Sequence, residues 1–137
     1  MTGFLLIPSL KIAVPVYEAQ NGNGQDVIDR PNSAVLLRWG NLTIIADHRT
    51  QSNFENLNRA EPSKTKAYFI TNGKMHIYKC DYSAIGHNRT EPTGNHLYDN
   101  HWAKVTQIMH DGIVMYTCIV RSAKDVMDVR LTHWRKV

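Results

Sequence analysis

Cysteine is scarce in this sequence, where only Cys80 and Cys118 occur. Two cysteines that lie far apart are too few for a structural zinc site or a disulfide framework, although one bridge between them remains possible. A chain of 137 residues with 42% hydrophobic residues is long enough to bury a core without such staples. The composition therefore predicts one folded domain spanning residues 1–137.

Long hydrophobic runs and runs of like charge are also missing. The longest apolar run near the N-terminus, Phe4–Pro8, is too short for a membrane span and has no basic segment before it. The formal charge is +4, and the cations are spread along the chain except in the tail His133–Val137. Aromatic residues do not alternate with Lys and Arg as a platform for single-stranded nucleic acid requires. We expect no signal peptide, no membrane anchor and no nucleic-acid partner, a basic nucleic-acid-binding barrel being the last-ranked alternative.

Short β-type runs separated by turn residues make up most of the sequence. In the clearest, Lys66–Cys80, the dipeptide Asn72-Gly73 supplies the positive φ angles of a two-residue hairpin. Further strands are predicted at Leu10–Glu18, Ala34–Trp39, Leu42–Ala46, on both sides of Asp111-Gly112 within Trp102–Val120, and at Asp125–Val137. One short helix is predicted near Thr50–Ala60, and the polar segment Asp81–Asn100 reads as a long irregular connection. The pattern predicts an all-β fold, a closed β-barrel of seven or eight strands with one or two short helices.

Cys118 lies inside the apolar run Val114–Val120, and the run alone leaves two interpretations open. Free cysteine is among the most buried residue types, so Cys118 fits a core strand. As a nucleophile it needs a neighbour that takes its proton or lowers its pKa, usually a histidine or a cation. His48 ends a predicted strand seventy residues earlier (118 − 48), and Arg130 follows twelve residues later (130 − 118). Because adjacent strands lie about 5 Å apart, a return strand brings position 130 beside position 118, where a cation stabilises a thiolate and an oxyanion.

The order of these segments resembles that of the sortases, the cysteine transpeptidases of bacterial surfaces, and the resemblance covers nearly the whole chain. The segments that carry it are Ile7–Glu18 (IPSLKIAVPVYE), Asn41–Arg49 (NLTIIADHR), Asn72–Cys80 (NGKMHIYKC), Val114–Cys118 (VMYTC) and Val129–Trp134 (VRLTHW). They are similar to the family's entry strands, its histidine strand, its hairpin, its Thr-Leu-X-Thr-Cys box and its arginine strand.

The resemblance implies an eight-stranded barrel in which Cys118 attacks the backbone carbonyl of a peptide sorting signal, commonly Leu-Pro-X-Thr-Gly, to form a thioacyl enzyme. An amine of a peptidoglycan cross-bridge or of a pilin would then resolve it. His48 would act as acid and base, Arg130 would hold the substrate and the oxyanion, and Thr117 would help line the pocket. The family also implies a place at the bacterial cell surface and no cofactor. Some relatives respond to calcium, but no acidic cluster suited to it is present.

The sequence departs from the family's pattern close to these residues. Val114 and Met115 stand where the box usually has Thr and Leu, and Asp47 stands where a small residue commonly precedes the histidine. Asp47 could favour the charged form of His48, or it could be a turn residue that faces away. These departures motivate an alternative function, a catalytically weak sortase-like module that binds a peptide or a surface protein.

The remaining candidate ligands predict no metal site. Cys80 is assigned to a strand of the hairpin. Four histidines lie in or beside the long connection, at spacings that match no metal-ligand pattern: His87, His96, His101 and His110.

Overall fold

Eight strands form a closed barrel in the computed structural model, which describes residues 2–20, 31–39, 41–48, 50–86, 111–120 and 127–137, and the backbone alone for residues 39, 118–120 and 127–129. The strands are β1 (Gly3–Ile7), β2 (Ile12–Glu18), β3 (Ala34–Trp39), β4 (Leu42–Ala46), β5 (Lys66–Thr71), β6 (Lys74–Gly86), β7 (Ile113–Val120) and β8 (Met127–Lys136). The described residues also contain two short 3-10 helices, Pro8–Leu10 and Phe54–Arg59. The predicted all-β barrel is confirmed.

The strand order around the barrel is β1-β2-β3-β4-β7-β8-β6-β5, and β5 closes the barrel by pairing with β1. Two strand pairs are parallel, β2 with β3 and β4 with β7. The other pairs are antiparallel. The parallel β4–β7 pair joins segments that are far apart in sequence, and it carries the candidate site.

The hairpin predicted at Asn72-Gly73 is confirmed. Asn72 has a φ angle of 53° and Gly73 one of 73°, and the flanking strands pair from Thr71 with Lys74 onward. These two positive angles are those that a two-residue turn needs to match the twist of the strands it connects. Cys80 lies on β6 as predicted and is fully buried.

Two predicted boundaries are wrong, and each has a local cause. Residues 81–86 belong to β6 rather than to an irregular connection, because the register with β8 shifts between Cys80 and Tyr82 and the strand then continues. Such a bulge inserts one residue and interrupts the alternation by which a strand is read from sequence. The helix is shorter than Thr50–Ala60, since Ser52 and Asn53 adopt left-handed angles just before it begins. The rest of the predicted connection and the strand before Asp111 lie outside the described residues.

The barrel interior holds the main apolar core. Its largest fully buried side chain is Trp134 of β8, whose indole Nε1 donates a hydrogen bond of 2.8 Å to Thr132 Oγ1. Phe54 and Leu57 of the second 3-10 helix are also fully buried in this core, so the helix packs against the barrel. No helix of the described residues is long and apolar enough to cross a membrane.

Candidate functional site

The end of β4 lies beside the part of β7 that carries Cys118. The two strands pair in parallel, and the last pair is Ala46 with Tyr116, an offset of 70 residues (116 − 46). Two residues further along, the same offset relates His48 to Cys118 (118 − 48). Corresponding residues of parallel neighbours lie about 5 Å apart. The paired part of β4 and β7 therefore ends two residues before the positions predicted for acid/base and nucleophile.

Asp47 fixes the backbone on which His48 lies. Its side chain is 3% exposed, and its Oδ1 accepts a 2.8 Å hydrogen bond from the backbone N–H of His48. The Asp47 carboxyl is therefore buried and does not face solvent. The carboxyl contacts the backbone of His48, and both alternatives left by the sequence stay predictions.

The Asp47 carboxyl is poorly solvated. Its second oxygen, Oδ2, is buried and has no hydrogen-bond partner among the described residues. Burial raises the pKa of Asp47 to about 6, against the lowering effects of the His48 N–H, of Ser52 and of the charge of His48. A carboxyl with one unpartnered oxygen is costly to ionise in such a place. Asp47 thus carries an energetic penalty at neutral pH directly beside the candidate site.

Thr117 links the end of β4 to β7. Its side chain is 1% exposed, and its Oγ1 donates a 2.9 Å hydrogen bond to the backbone carbonyl of Asp47. This bond extends the strand contact past the last backbone pair, one residue before both His48 and Cys118. The prediction that Thr117 lines the substrate pocket stays a prediction, since here its hydroxyl is used between strands.

Arg130 lies on β8 opposite Thr117, and Cys118 pairs with Val129. Position 130 therefore shares its side of the sheet with Thr117, one residue from the pair that contains Cys118. The half-buried guanidinium donates from Nε to Asn58 Oδ1 at 3.0 Å and from Nη1 to Ser83 Oγ at 3.1 Å. These bonds orient Arg130 between the second 3-10 helix and β6.

A buried histidine holds the start of β7. His133 is 2% exposed, and its Nδ1 lies 2.6 Å from Asp81 Oδ1, while its Nε2 lies 2.7 Å from the backbone carbonyl of Asp111. A carbonyl only accepts, so Nε2 donates to it. Gly112 follows with a φ of 88°, and a β-carbon there would approach the carbonyl oxygen of Trp134 to 2.5 Å. Glycine is required at this position, and the strand that carries Cys118 begins from a fixed point.

Cys80 is a residue of the barrel core. It is fully buried and is a free thiol, and its Sγ donates to the backbone carbonyl of Tyr82 at 3.5 Å. Burial, reinforced by the nearby charge of Asp81, raises the pKa of the Cys80 thiol to about 11. A buried thiol with a raised pKa is a poor nucleophile at neutral pH.

Sequence reasoning missed several residues around the predicted site, namely Asn58, Ser83, Asp81 and His133. Asn58 and Ser83 are polar residues without a motif, and they reach Arg130 only through the barrel's closure. The signal for the other two was the break of alternation at Asp81, an acidic residue that directly follows the buried Cys80. Had a bulge been predicted at that point, Asp81 would have been expected to point towards a residue of another strand.

The four histidines of the predicted long connection are the candidate metal ligands that remain. The histidines at positions 87, 96, 101 and 110 lie outside the described residues. Within the described ranges, no group of three or more His, Cys, Asp or Glu side chains is arranged to hold a metal ion.

The barrel is similar to solved sortase structures over almost its whole length. Sortase C1 of Streptococcus agalactiae matches with a TM-score of 0.66 and 17% identity, covering 98% of this chain and 66% of that one. A lid mutant of sortase A from Corynebacterium diphtheriae gives 0.64 and 16%, with 99% and 69% covered. Sortase C of Clostridium perfringens gives 0.62 and 14%, with 98% and 68% covered. The chain has the sortase fold, and it spans about two thirds of the length of these structures.

The likeness is one of structure. No protein-family model matches the chain, and no curated protein matches it by sequence.

Proposed function

We propose that this chain is a sortase-type cysteine transpeptidase with Cys118 as its nucleophile. The observation that carries the proposal is the parallel β4–β7 register, whose constant offset relates His48 to Cys118 two residues past the last pair. A core strand would need no histidine at that position. The sortase fold of the barrel adds a second, independent reason.

The chemistry exchanges one amide bond for another. The thiolate of Cys118 attacks the carbonyl carbon of the scissile bond, and the negative charge moves to the carbonyl oxygen. When this tetrahedral intermediate collapses, the C–N bond breaks and His48 gives a proton to the leaving amine. His48 then takes a proton from the incoming amine, which attacks the thioester and releases the thiolate. No oxidant, reductant or cofactor is needed.

Arg130 and Thr117 support this reaction in different ways. Arg130 lies on the strand next to the nucleophile's strand, and a guanidinium there stabilises the oxyanion and holds the substrate backbone. Its bonds to Asn58 and Ser83 orient it before substrate arrives. Thr117 holds the end of β4 against β7 through its bond to Asp47, so that the distance from His48 to Cys118 is kept.

We propose a sorting peptide of a surface protein or pilin as the acyl donor, and an amine such as a peptidoglycan cross-bridge or a pilin lysine as the acceptor. Two of the similar structures are described as a pilus-related sortase C of Group B Streptococcus and as a Streptococcus pneumoniae sortase C with pilin substrate specificity. Such substrates imply action at the bacterial cell surface.

The proposal is tested with a panel of sorting peptides of the Leu-Pro-X-Thr-Gly type, incubated with the protein in the presence and absence of an oligoglycine amine. We expect at least one peptide to be cleaved after Thr and joined to the amine, with the ligated product identified by mass spectrometry. Cleavage should accelerate with amine concentration, because the amine resolves the acyl enzyme.

Two results would count against it. No ligated product with any peptide contradicts a transpeptidase. Peptide binding without turnover, with an affinity that Cys118→Ser leaves unchanged, would instead favour a binding module.

A further inference from the structure

The exposed large hydrophobic side chains of the described residues gather on one outer face of the barrel. They are Met75 at 59% exposure, Ile77 at 38% and Val137 at 76%. Met75 and Ile77 are two residues apart on β6 and so point to the same side of the sheet. Val137 joins them because its backbone N–H donates to the carbonyl of Ile77 at 2.9 Å. We call this surface of β6 and its neighbours the apolar face.

The apolar face continues across the adjacent strands. Ile77 pairs with Tyr68 and Met75 with Ile70 on β5, and both of these β5 residues pair onward with β1. Directly paired residues of antiparallel strands share one side of the sheet. The half-buried side chains that extend the face in this way are Phe4, Leu6, Tyr68 and Ile70. The face therefore spans three strands and the end of a fourth.

A row of cations borders the apolar face. Lys66 of β5 pairs with Lys79 of β6, which pairs with Arg135 of β8. Like charges directly opposite one another destabilise a sheet. None of the three forms an ion pair with a carboxylate among the described residues, and Asp81, the acid of β6, is bonded to His133. The fold thus places three like charges side by side with no ion-paired carboxylate in the described barrel.

One occupant accounts for both features. An anionic lipid surface neutralises the cations and takes the apolar side chains out of water at the same time. A protein partner would be expected to seat an anchor in a pocket, but Met75 and Ile77 are exposed on the sheet surface and do not line three of the cavities that the described residues form. We propose that the apolar face and its cation row dock the barrel onto the surface of an anionic membrane. The docking is independent of the transpeptidase proposal.

Co-sedimentation with lipid vesicles tests this docking. We expect the protein to bind vesicles of phosphatidylcholine mixed with about one-third phosphatidylglycerol, and to bind pure phosphatidylcholine far more weakly. Lys66→Gln/Lys79→Gln should lower the partition coefficient roughly twenty-fivefold, since each cation near the surface contributes about fivefold. Met75→Ser/Ile77→Ser should also weaken binding, with all charges kept.

The matched control is Arg38→Gln/Lys136→Gln, which removes the same charge from two residues that line a cavity and do not belong to the cation row. The docking proposal predicts a much smaller loss for this control than for Lys66→Gln/Lys79→Gln. Equal losses would show that only net charge matters and would overturn it. An undiminished affinity of Met75→Ser/Ile77→Ser would also overturn the proposal, because only a cationic patch suited to any polyanion would then remain. The same holds if the wild type does not bind the anionic vesicles.

Discussion

Cys118→Ala is expected to abolish amine-dependent ligation of the sorting peptide, with a loss of at least about a thousandfold in kcat/KM. Without the sulfur no thioester forms, and the remaining site can only bind the peptide. Circular dichroism should show an intact barrel, because Cys118 lies on β7 near the strand's end, after its pairing with β4 has stopped.

The second cysteine provides the matched control. Cys80→Ala removes a thiol of the same size from the barrel core, where it contributes packing and a weak hydrogen bond to the carbonyl of Tyr82. We expect this variant to keep its activity per folded molecule and to lose about 1 kcal/mol of stability or a little more. If Cys80→Ala destroyed ligation while the fold survived, or if Cys118→Ala retained it, Cys118 would not be the nucleophile.

Asp47→Asn is expected to change the pH dependence of stability. The pKa of Asp47 is about 6 in the folded protein against 3.8 for the unperturbed group, so the folded state binds this proton more tightly. The free energy of unfolding of the wild type therefore falls as pH rises from about 4 to about 6, and levels off above that. The penalty at neutral pH is about 3 kcal/mol, from the shift in pKa and 1.36 kcal/mol per unit.

Asparagine at this position does not ionise, and its amide oxygen still accepts from the His48 N–H. The difference in unfolding free energy between Asp47→Asn and wild type should therefore shift by about 2.5 kcal/mol in favour of the variant between pH 4 and pH 8, because about 0.5 kcal/mol is already lost at pH 4. Urea unfolding at each pH measures it, with Glu55→Gln as a control that removes an exposed carboxyl. A difference that stays constant with pH would show that the Asp47 carboxyl is well solvated.

The persistence of so costly a group beside His48 fits a positional role. Asp47 binds the backbone of His48 through its carboxylate and the side chain of Thr117 through its carbonyl. Both contacts hold the end of β4 against β7. Strained or poorly solvated groups tend to persist where a site needs its geometry fixed.

Local signals in the sequence predicted local structure well. Asn72-Gly73 defines its hairpin through the φ angles of two residues, and the short apolar run Leu42–Ala46 marks β4 without any distant partner. The barrel class followed from the number and length of such strands. The parallel pairing of β4 with β7 could not be predicted from any local signal. That contact joins residues 70 apart and depends on closure of the whole sheet.

The candidate site was predictable to a similar degree. Its residue types were found from the order of histidine, cysteine and arginine along the chain. The burial of Asp47, the partners of Arg130 and the bond from His133 to Asp81 were not, since each joins side chains from different strands or loops. Position 130 also falls opposite Thr117 rather than Cys118, a one-residue difference that strand spacing alone does not resolve.

The central claim, that Cys118 becomes acylated, is tested most directly by intact-mass analysis of the protein incubated with a cleavable sorting peptide in the absence of amine and quenched in acid. We expect a mass increase equal to the peptide fragment ending in Thr. Peptide mapping should locate this adduct on the segment that contains Cys118, and added amine should remove it. Peptide cleavage without such an adduct, or an adduct located on any other residue, would contradict it.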